Sequence, residues 1–404
     1  MFPFSSRHSG RTVAAGAVIG LLAATAGCGS SAKTAGPSST VTGGAPAATS
    51  AGSDSAAAGG DGVAYAQAQL AKYSGLITHF DPPGPSLSNL KAKLAGKTVW
   101  YVPVFLQAPI FTANSKGLTE PLALAGASLH VCDAASNPSQ GDSCIKQAVA
   151  AKAGAIIIDA INYSFASKAI DSALAAQIPV VATDNDDRKG FPSNPLLTTV
   201  SIGGPQVARL SVDYVIADSK GKANALYAAD DSDAGKIAAA ATADEFTTRC
   251  PDCKVTTVNF SDLTVQRLAT AVSSAMAANS KIDYVYGGYD APSGIFALQG
   301  AKTVSGRKFT YVTGTGQPPG LQRVAAGQQA ADAGVDTSAS MWNTADALFR
   351  IVTGVAPIAD YVQPLRVFTK ANVPGNTSDA GAYASGEWYT DGSFKPMYKT
   401  LWGL

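Results

Sequence analysis

From residue 97 onward, short runs of β-branched residues alternate with stretches of helical periodicity, and this alternation constrains the fold more than any other feature. Runs that are apolar throughout are typical of strands buried on both faces of a parallel sheet. The predicted strands are 98–105, 128–131, 155–159, 178–183, 223–228, 254–260, 284–287, 309–313 and 330–335. The predicted helices are 112–126, 143–153, 165–176, 205–219, 235–248, 263–278, 292–299 and 337–353. This order predicts an α/β protein of two doubly wound parallel-sheet units, divided at about residue 203.

The first 28 residues have the features of an export signal. Arg7 and Arg11 give a positive start, an apolar stretch follows over 12–24, and small residues precede Cys28. The end resembles the bacterial lipobox, whose cysteine becomes the lipidated first residue of the mature chain, although Thr25 stands where leucine is usual. We predict a lipoprotein signal peptide over 1–27 and an exported protein held on the extracytoplasmic face of the cell membrane through Cys28. An ordinary cleaved signal is the alternative, and the apolar stretch is shorter than the roughly 20 residues of a membrane-spanning helix.

Two segments separate this signal from the first predicted strand. Residues 28–62 are almost wholly small or polar, so they cannot form a core, and we predict a flexible tether there. Residues 63–96 form a preliminary segment, in which apolar residues recur at helical spacing before the prolines at 82, 83 and 85 end the pattern. The apolar positions of this predicted helix are Val63, Ala66, Leu70, Tyr73 and Ile77. We expect the helix to pack on one lobe.

Length and charge restrict the classes of function. A chain of 404 residues is long enough for two lobes. It carries 30 basic and 29 acidic residues, with no basic run in the mature part, which predicts no nucleic-acid partner. A hydrophobic content of 46% is typical of a well-packed globular protein. We expect a monomer that needs no metal or cofactor.

Cysteine usage agrees with export. Beyond the first 28 residues the chain has Cys132, Cys144, Cys250 and Cys253, which allow three pairings, and an oxidising compartment favours disulfides. We expect local pairs, because Cys132 ends a predicted strand and Cys144 opens a predicted helix, while the second pair would close a helix-to-strand turn. A redox-active Cys-x-x-Cys is the first alternative, but active pairs usually start a helix and this one follows a helix. A zinc site is disfavoured because the four cysteines include no second Cys-x-x-Cys.

Five sequence segments give the chain a recognisable order of motifs. They are VWYVPV at 99–104, AIIIDA at 155–160, IPVVATD at 178–184, YGGYDA at 286–291 and YVTG at 311–314. In order and spacing they resemble the type I periplasmic binding proteins, in particular the ribose-binding-like branch that serves sugar ABC transporters. The resemblance implies a hinge that the chain crosses three times, joining two lobes. The lobes would comprise 97–202 plus 336–363 and 203–335 plus 364–372.

The last 32 or so residues, 373–404, extend beyond this resemblance. They contain Trp388, Tyr389, Phe394, Tyr398 and Trp402. Such a run of aromatic residues most simply packs as a strap over one lobe. Contact with a membrane or a permease is the alternative.

Ligands of open α/β sheets bind outside the carboxyl ends of the strands, so the loops there are the candidate site. In the family that the chain resembles, these loops line one cleft between the lobes, and the counterpart of 107–111 supplies an amide and aromatic rings that clamp a sugar. The candidate ligand-binding residues are Gln107, Ile110, Phe111, Tyr163, Phe165, Asp184, Asn185, Asp231, Tyr289, Asp290, Thr315, Gln317 and Asp336. Carboxylates and amides would bond sugar hydroxyls while rings cover the apolar faces. The structural alternatives are core packing for Phe111, helix capping for Asp184 and Asp290, and solvation for Asp231.

The candidate site departs from the ribose-like pattern. Asn185 follows Asp184 where the family has arginine, the arginine expected near Asp231 is missing, and Thr315 replaces an aspartate. Arginine supplies paired donors that asparagine does not reproduce, so these changes disfavour ordinary ribose or galactose recognition. The rings of Tyr163, Phe165 and Tyr289 favour a less polar or aromatic solute as the alternative ligand.

We predict a substrate-binding lipoprotein that closes around a sugar or related polyol by hinge motion and delivers it to an ABC permease. An enzyme is disfavoured, because only His79 and His130 remain after residue 27, the latter in a strand predicted to be buried. The glycines at 314, 316 and 320 also lack the spacing of a dinucleotide-binding loop. Repressors with the same lobes carry a DNA-binding helix-turn-helix, whereas this chain starts with an export signal. A receptor that feeds a sensor kinase is a further alternative.

Overall fold

The computed structural model of the chain describes residues 60–261 and 264–404. The predicted signal peptide, Cys28 and nearly all of the predicted tether lie outside these residues. Within the described residues, none of the helices is both long and apolar enough to cross a bilayer.

The N-terminal lobe is built on a five-stranded parallel sheet of order β2-β1-β3-β4-β5. Its strands are β1 (Thr98–Pro103), β2 (Ser128–Val131), β3 (Ala155–Asp159), β4 (Val180–Thr183) and β5 (Leu197–Val200). Its helices are α3 (Pro109–Leu124), α4 (Pro138–Ala150), α5 (Tyr163–Ala175) and α11 (Thr337–Thr353). Alternate residues of each strand enter different cores: Tyr101 and Ile157 lie in one, Val102 and Ile158 in the other. The sheet is therefore covered on both faces, as the apolar runs predict.

The C-terminal lobe is built on a six-stranded sheet of order β11-β10-β9-β8-β6-β7, in which only β11 runs antiparallel. Its strands are β6 (Asn224–Asp230), β7 (Lys254–Phe260), β8 (Tyr284–Tyr289), β9 (Thr310–Thr315), β10 (Ala331–Val335) and β11 (Leu365–Thr369). Its helices are α6 (Gly204–Asp218), α7 (Asp233–Arg249), α8 (Leu268–Ala278), α9 (Ser293–Lys302) and α10 (Pro318–Ala325). In each lobe the first strand of the sheet lies between the second and the third, so the strand order reverses there. The topological switch points are therefore at β1/β3 and at β6/β8.

Four more helices flank the lobes: α1 (Gly60–Lys72), α2 (Leu90–Leu94), α12 (Ala380–Ser385) and α13 (Phe394–Leu401). Helix α1 packs against α6 and α7 of the C-terminal lobe. It ends at Lys72, so Ile77, which the periodicity placed on this helix, lies beyond it. Ile77 instead forms a short parallel bridge with Thr390 near the other end of the chain.

Several predicted boundaries need correction. Helices α3 and α4 begin at Pro109 and Pro138, earlier than predicted, because proline fits the first helical positions, where no backbone donor is needed. The strand β5 and the helix α10 were not predicted, since their apolar patterns are short. His130 is exposed on the edge strand β2, not buried, and its ring centroid lies 4.0 Å from that of Trp100. The predicted helix start at residue 263 lies outside the described residues.

Both predicted disulfides are formed. Cys132 pairs with Cys144, and Cys250 pairs with Cys253. The first bridge joins the loop after β2 to the interior of α4, because the helix starts before Cys144 and not at it. The second closes the turn between α7 and β7, as predicted.

The lobes are joined by more than the three predicted crossings. Those three lie between β5 and α6, between β10 and α11, and between α11 and β11. A fourth crossing runs through 73–87. The carbonyl of Tyr73 accepts a hydrogen bond from the amide of Val367 in β11 at 2.8 Å, whereas the amide of Leu87 donates to the carbonyl of Leu401, which packs in the core of the N-terminal lobe. The fifth is the segment 373–404, which we call the C-terminal tail.

The C-terminal tail packs on both lobes, whereas the sequence predicted a strap over one. Trp402 stacks on Trp342 of α11 with ring centroids 5.2 Å apart, and its Nε1 donates to Asp346 at 2.8 Å. Tyr389 meets Phe368 of β11 edge to face at 5.1 Å. The prediction failed because a run of aromatic residues shows that a segment packs but does not show on what.

Candidate functional site

The carboxyl ends of the two sheets face each other across the space between the lobes. At one point the lobes touch directly: Nδ2 of Asn162, just before α5, donates to Oδ2 of Asp233, the first residue of α7, at 2.8 Å. This contact brings the loops after β3 and β6 together. The site described below lies behind it, built from the strand ends of both lobes.

Asp159 ends β3 and is fully buried. Its Oδ2 accepts hydrogen bonds from the hydroxyl of Tyr101 at 2.5 Å and from Nδ2 of Asn114 at 2.8 Å. Within the described residues, its Oδ1 has no hydrogen-bond partner. Burial raises the pKa of Asp159 to about 6, against the lowering effect of the two donors. This carboxyl therefore retains one free acceptor position at the end of the sheet.

Asp184 follows β4 with a φ of 52°, in the left-handed region that aspartate tolerates better than most residues. Its side chain is only partly buried. Burial, followed by the negative charges of Asp159 and Asp186, raises the pKa of Asp184 well above its usual value. A hydrogen-bond donor of a bound solute would stabilise the charged form of Asp184. The N-terminal lobe therefore offers a carboxyl group whose pKa no cation of the described residues lowers.

Tyr289 ends β8, in the lobe opposite to Asp184. Its hydroxyl lies 3.5 Å from Oδ2 of Asp230. Burial raises the pKa of Tyr289 most, and the charges of Asp230 and then of Asp184 raise it further. The structure thus brings together Asp184 and Tyr289, which the sequence predicted separately.

Asp290 is fully buried and bonded within the C-terminal lobe. Its Oδ1 accepts from Oγ1 of Thr313 at 2.5 Å and lies 3.4 Å from Nη2 of Arg323. Its Oδ2 accepts from the amide of Gln317 at 2.7 Å and from Oγ1 of Thr315 at 3.0 Å. Both carboxylate oxygens of Asp290 are bonded within the protein, so the geometry indicates a structural role for this residue.

A second buried acid, Asp332 of β10, lies beside Asp290. A Cβ added at Gly320 would come within 2.1 Å of Oδ1 of Asp290 and 2.0 Å of Oδ2 of Asp332, so only glycine fits over the pair. Burial, followed by the charge of Asp290, raises the pKa of Asp332 well above its usual value, while Arg323 opposes the shift. Burial and the neighbouring charge therefore favour the protonated form of Asp332 beneath the loop after β9.

That loop carries Thr315 and Gln317. Thr315 has a φ of 118°, a strained conformation for a β-branched residue, and its Oγ1 accepts from Nε2 of Gln317 at 3.0 Å. Gln317 is 4% exposed, and its Oε1 has no partner in the part of the chain that the structure describes. The hydrogen bonds to Asp290 hold Thr315 in this strained conformation. The buried amide oxygen of Gln317 remains available to a ligand.

Asp336, predicted near the hinge, caps α11. Its Oδ1 accepts from the amide of Ala339 at 3.0 Å, and its Oδ2 accepts from Oγ1 of Thr390 in the C-terminal tail at 2.9 Å. Burial raises the pKa of Asp336 to about 7, against these donors. The residue therefore links the hinge to the tail and presents neither oxygen to the interlobe space.

Other predicted residues pack away from this space. Ile110 and Phe111 are buried in the N-terminal core, where Phe111 meets Phe105 with ring centroids 5.1 Å apart. Gln107, in the preceding loop, is exposed. Asn185 is buried, and its Nδ2 donates to the carbonyl of Ile161 at 3.0 Å. The core-packing alternative thus describes Phe111 better than a ring that clamps a sugar.

The remaining predicted residues also lie elsewhere. The hydroxyl of Tyr163 donates to Asp171 of its own helix at 2.7 Å, and Phe165 packs against Gly141 of α4. Asp231 is exposed. Tyr163 and Phe165 are therefore engaged within the N-terminal lobe, and Asp231 is exposed to solvent in the loop that also carries Asp233.

A cavity of about 290 Å³ opens between the lobes next to Gln317. It is lined by Pro109, Thr112, Ala113 and Lys116 of α3, Pro318 and Pro319 of α10, and Ser378, Ala380, Tyr383 and Ala384 of the C-terminal tail. A larger cavity of about 620 Å³ lies on the outer face of the C-terminal lobe beside the disulfide of Cys250, away from the strand ends. The smaller one is the candidate ligand space because its lining comes from both lobes, although Asp184, Tyr289, Thr315 and Gln317 are not part of that lining.

Four residues of this site were missed from the sequence. Asp159 ends a predicted strand and Asp230 follows another by two residues, so their positions signalled them. Asn162 follows the same strand as Asp159, but its contact across the lobes had no local signal. Tyr383 belongs to the C-terminal tail, where no sequence pattern indicated that the chain returns to the site.

Two doubly wound lobes whose strand ends enclose polar side chains define a two-lobed solute-binding protein. The chain belongs to the periplasmic binding protein family: the Periplasmic binding protein domain matches residues 99–355. Proteins of this family bind solutes outside the cytoplasm. No match is found among curated protein sequences.

Solved structures share the fold. An ABC sugar transporter subunit from Rhodobacter sphaeroides 2.4.1 is 18% identical with a TM-score of 0.59, covering 69% of this chain and 99% of its own. A glucose-galactose binding protein from Geobacillus stearothermophilus is 18% identical with a TM-score of 0.60 over the same shares. A 5-methylthioribose transporter solute binding protein from Thermotoga lettingae TMO is 15% identical with a TM-score of 0.60, covering 78% of this chain and 99% of its own. At such identities the likeness establishes the type I periplasmic binding fold, which confirms the predicted fold class.

Proposed function

We propose that the protein is the substrate-binding lipoprotein of an ABC importer and captures a small sugar or polyol between its lobes. The observation that carries this proposal is the contact of Asn162 with Asp233, which joins the loops after β3 and β6, together with the charge of Asp184 in one lobe raising the pKa of Tyr289 in the other. Groups at the strand ends of both lobes face one volume, so one solute that contacts both would hold the lobes closed.

The chemistry of the site favours a ligand rich in hydrogen-bond donors. Oδ1 of Asp159 and Oε1 of Gln317 are buried acceptors without a partner among the described residues, and the carboxyl of Asp184 lacks a cation beside it. Buried acceptors left unpaired cost free energy, and hydroxyl groups of a sugar or polyol would satisfy them. Since Tyr163 and Phe165 pack elsewhere, the aromatic alternative loses two of its three rings.

Solute binding is tested by thermal shift and calorimetry of the purified chain against D-glucose, D-galactose, D-ribose, myo-inositol and 5-methylthioribose, with indole and benzoate as aromatic probes. A solute at about a hundred times its dissociation constant adds roughly 2.7 kcal/mol to the stability, a shift of several degrees in Tm. The exposed variant Asp231→Asn is the control and should bind as the wild type does. If only the aromatic probes bind, the protein is still a solute receptor, but a sugar or polyol is not its ligand.

The lipid anchor and the permease are separate parts of the proposal. Mass spectrometry of the chain from a bacterial membrane fraction should show a diacylglycerol-modified Cys28 as the first residue. Cys28→Ser should release the protein from the membrane while leaving solute binding unchanged. A Cys28→Ser chain that stays on the membrane would contradict the anchor. The permease is tested by solute-dependent stimulation of the ATPase activity of the cognate transporter.

A further inference from the structure

The C-terminal tail brings one tyrosine to the cavity between the lobes, beside Ser378, Ala380 and Ala384. Helix α12 lies between α3 of the N-terminal lobe and α10 of the C-terminal lobe. Asp379 caps its start through the amides of Gly381 and Ala382, and Gly386 ends it with a φ of 79°. The helix carries Tyr383, which is 2% exposed and lines the cavity of about 290 Å³.

The tail is fixed in this position by contacts that only small residues allow. The hydroxyl of Tyr389 donates to the carbonyl of Gly316 at 2.7 Å. A Cβ at Gly316 or Gly334 would lie 2.0 or 2.5 Å from that hydroxyl, so the ring rests on two glycines of adjoining strand ends. A Cβ at Gly386 would likewise lie 2.2 Å from Oδ1 of Asp336. The tail is therefore built into the strand ends that form the site.

The hydroxyl of Tyr383 has no assigned bond. Within residues 60–261 and 264–404, no group donates to it or accepts from it, although the atom is buried. Buried tyrosine hydroxyls normally have a partner, because an unpaired one costs the free energy of its lost hydration. The amide oxygen of Gln317, adjacent to the prolines that line the same cavity, is buried and unpaired as well. An unpaired hydroxyl on a residue that lines the cavity, with a second unpaired polar side chain next to the lining in the sequence, points to a polar occupant.

The charges of carboxylates in both lobes affect the pKa of Tyr383. Burial raises the pKa of Tyr383 most, followed by the charges of Asp290, Asp332, Asp336 and Asp184. The first three lie on the C-terminal lobe or the hinge, and Asp184 lies on the N-terminal lobe. Tyr383 thus stands at the interlobe site, and not on an outer surface of the tail.

We propose that Tyr383 is a specificity-determining residue of the ligand site, supplied by the tail as a third wall, with its hydroxyl bonded to a hydroxyl group of the captured sugar or polyol. The inference rests on the proposed function, since it assigns a contact to the same solute. Tyr383→Phe keeps the ring and removes only the hydroxyl, so it should lower the affinity for a bound probe about 3- to 10-fold.

The matched control is Tyr398→Phe in the same tail. Tyr398 is 3% exposed, and its hydroxyl donates to Asn343 at 2.5 Å on α11, away from the cavity. We expect this variant to lower Tm by about 2–4 °C and to bind the probes normally. Tyr383→Phe should show the opposite pattern: Tm within about 1 °C of wild type and a weakened affinity.

The experiment is calorimetry and thermal unfolding of the full chain and both variants, with D-glucose, D-galactose, D-ribose, myo-inositol and 5-methylthioribose as probes. Loss of affinity in Tyr383→Phe at unchanged Tm supports the inference. An affinity within twofold of wild type overturns it, and so does a fall in Tm as large as that of Tyr398→Phe, which would show a structural hydroxyl.

If none of the five probes binds, the sugar assignment fails and the position of Tyr383 is still decided. 3-Fluorotyrosine is placed at 383 or at 398, and its ¹⁹F resonance is compared in H₂O and D₂O. A solvent isotope shift at 383 that is absent at 398 supports a hydroxyl facing the ligand space. No shift at either position places the hydroxyl of Tyr383 in a dry core and overturns the inference.

Discussion

The two lobes have the same strand order, yet their buried carboxyls have different surroundings. In the C-terminal lobe, Asp290 accepts four hydrogen bonds or ion-pair contacts, including one from Arg323, and Asp332 shares its environment. In the N-terminal lobe, Asp159 has two donors on one oxygen and none on the other among the described residues, and Asp184 is raised in pKa by other acids. Both oxygens of Asp290 are therefore bonded within its lobe, although Oδ2 of the neighbouring Asp332 has no partner among the described residues. Asp159, in contrast, keeps one of its own oxygens unbonded.

This difference distinguishes carboxyl groups with a structural role from carboxyl groups that can bind a ligand. A buried charge network that is complete stabilises only its own lobe, because it has no capacity left for a ligand. An incomplete one costs free energy until something supplies the missing donors. We infer that the C-terminal carboxyls hold the loop of Thr315 and Gln317 in place, and that the N-terminal carboxyls receive the solute. The predictions below test this division of roles.

The largest effect is expected from Arg323→Met. Removing the guanidinium leaves Asp290 and Asp332 without their only nearby cation among the described residues, and breaking such a buried pair costs about 3–5 kcal/mol. Urea unfolding measures the loss. Arg267→Met, exposed on the same lobe, should change stability by less than about 0.5 kcal/mol. Equal stabilities of the two variants would mean that the C-terminal network does not hold the lobe.

The N-terminal acids should behave in the opposite way. Asp184→Asn removes a carboxyl whose charged form is disfavoured in the fold, so stability at pH 7 should not fall. A solute hydroxyl that bonds a carboxylate contributes about 1.5–3 kcal/mol, so affinity should drop roughly 10- to 100-fold. Calorimetry with the solute found in the panel measures it, with Asp231→Asn as the exposed control. Unchanged affinity would remove Asp184 from the site.

Stability should also fall with rising pH because of Asp159. Its pKa is raised to about 6 from an unfolded value near 3.8, so the folded state binds the proton more tightly. The contribution is fully present below pH 4 and is lost as the pH rises through about 6, on the order of 3 kcal/mol in total. Unfolding of wild type and Asp159→Asn from pH 4 to 7.5 should show a flatter profile for the variant. The exposed variant Asp244→Asn should keep the wild-type slope, and parallel profiles for all three would contradict the raised pKa.

The fold was predictable because a buried strand can be recognised from the local pattern of apolar residues in the sequence. The run Ile156–Ile158 is apolar throughout, and a strand covered on both faces needs that composition. The site was less predictable, since side-chain direction depends on packing between elements. Phe111 follows the first strand as a ligand-clamping ring would, yet the first turn of α3 points it into the core. Tyr383 had no signal at all, because its role depends on where the tail crosses the hinge.

The smallest effect tests the contact that joins the two kinds of lobe. Asn162→Ala removes the bond to Asp233 at 2.8 Å, which exists only when the lobes are closed. One exposed hydrogen bond contributes about 0.5–1.5 kcal/mol, so solute affinity should fall roughly 2- to 10-fold through a less favoured closed state, with stability unchanged. A double-mutant cycle with Asp233→Ala separates this bond from other roles of either residue, since the two changes should not add. If their effects on affinity are additive, the lobes close without this contact, and closure must be attributed to the solute and the site behind it.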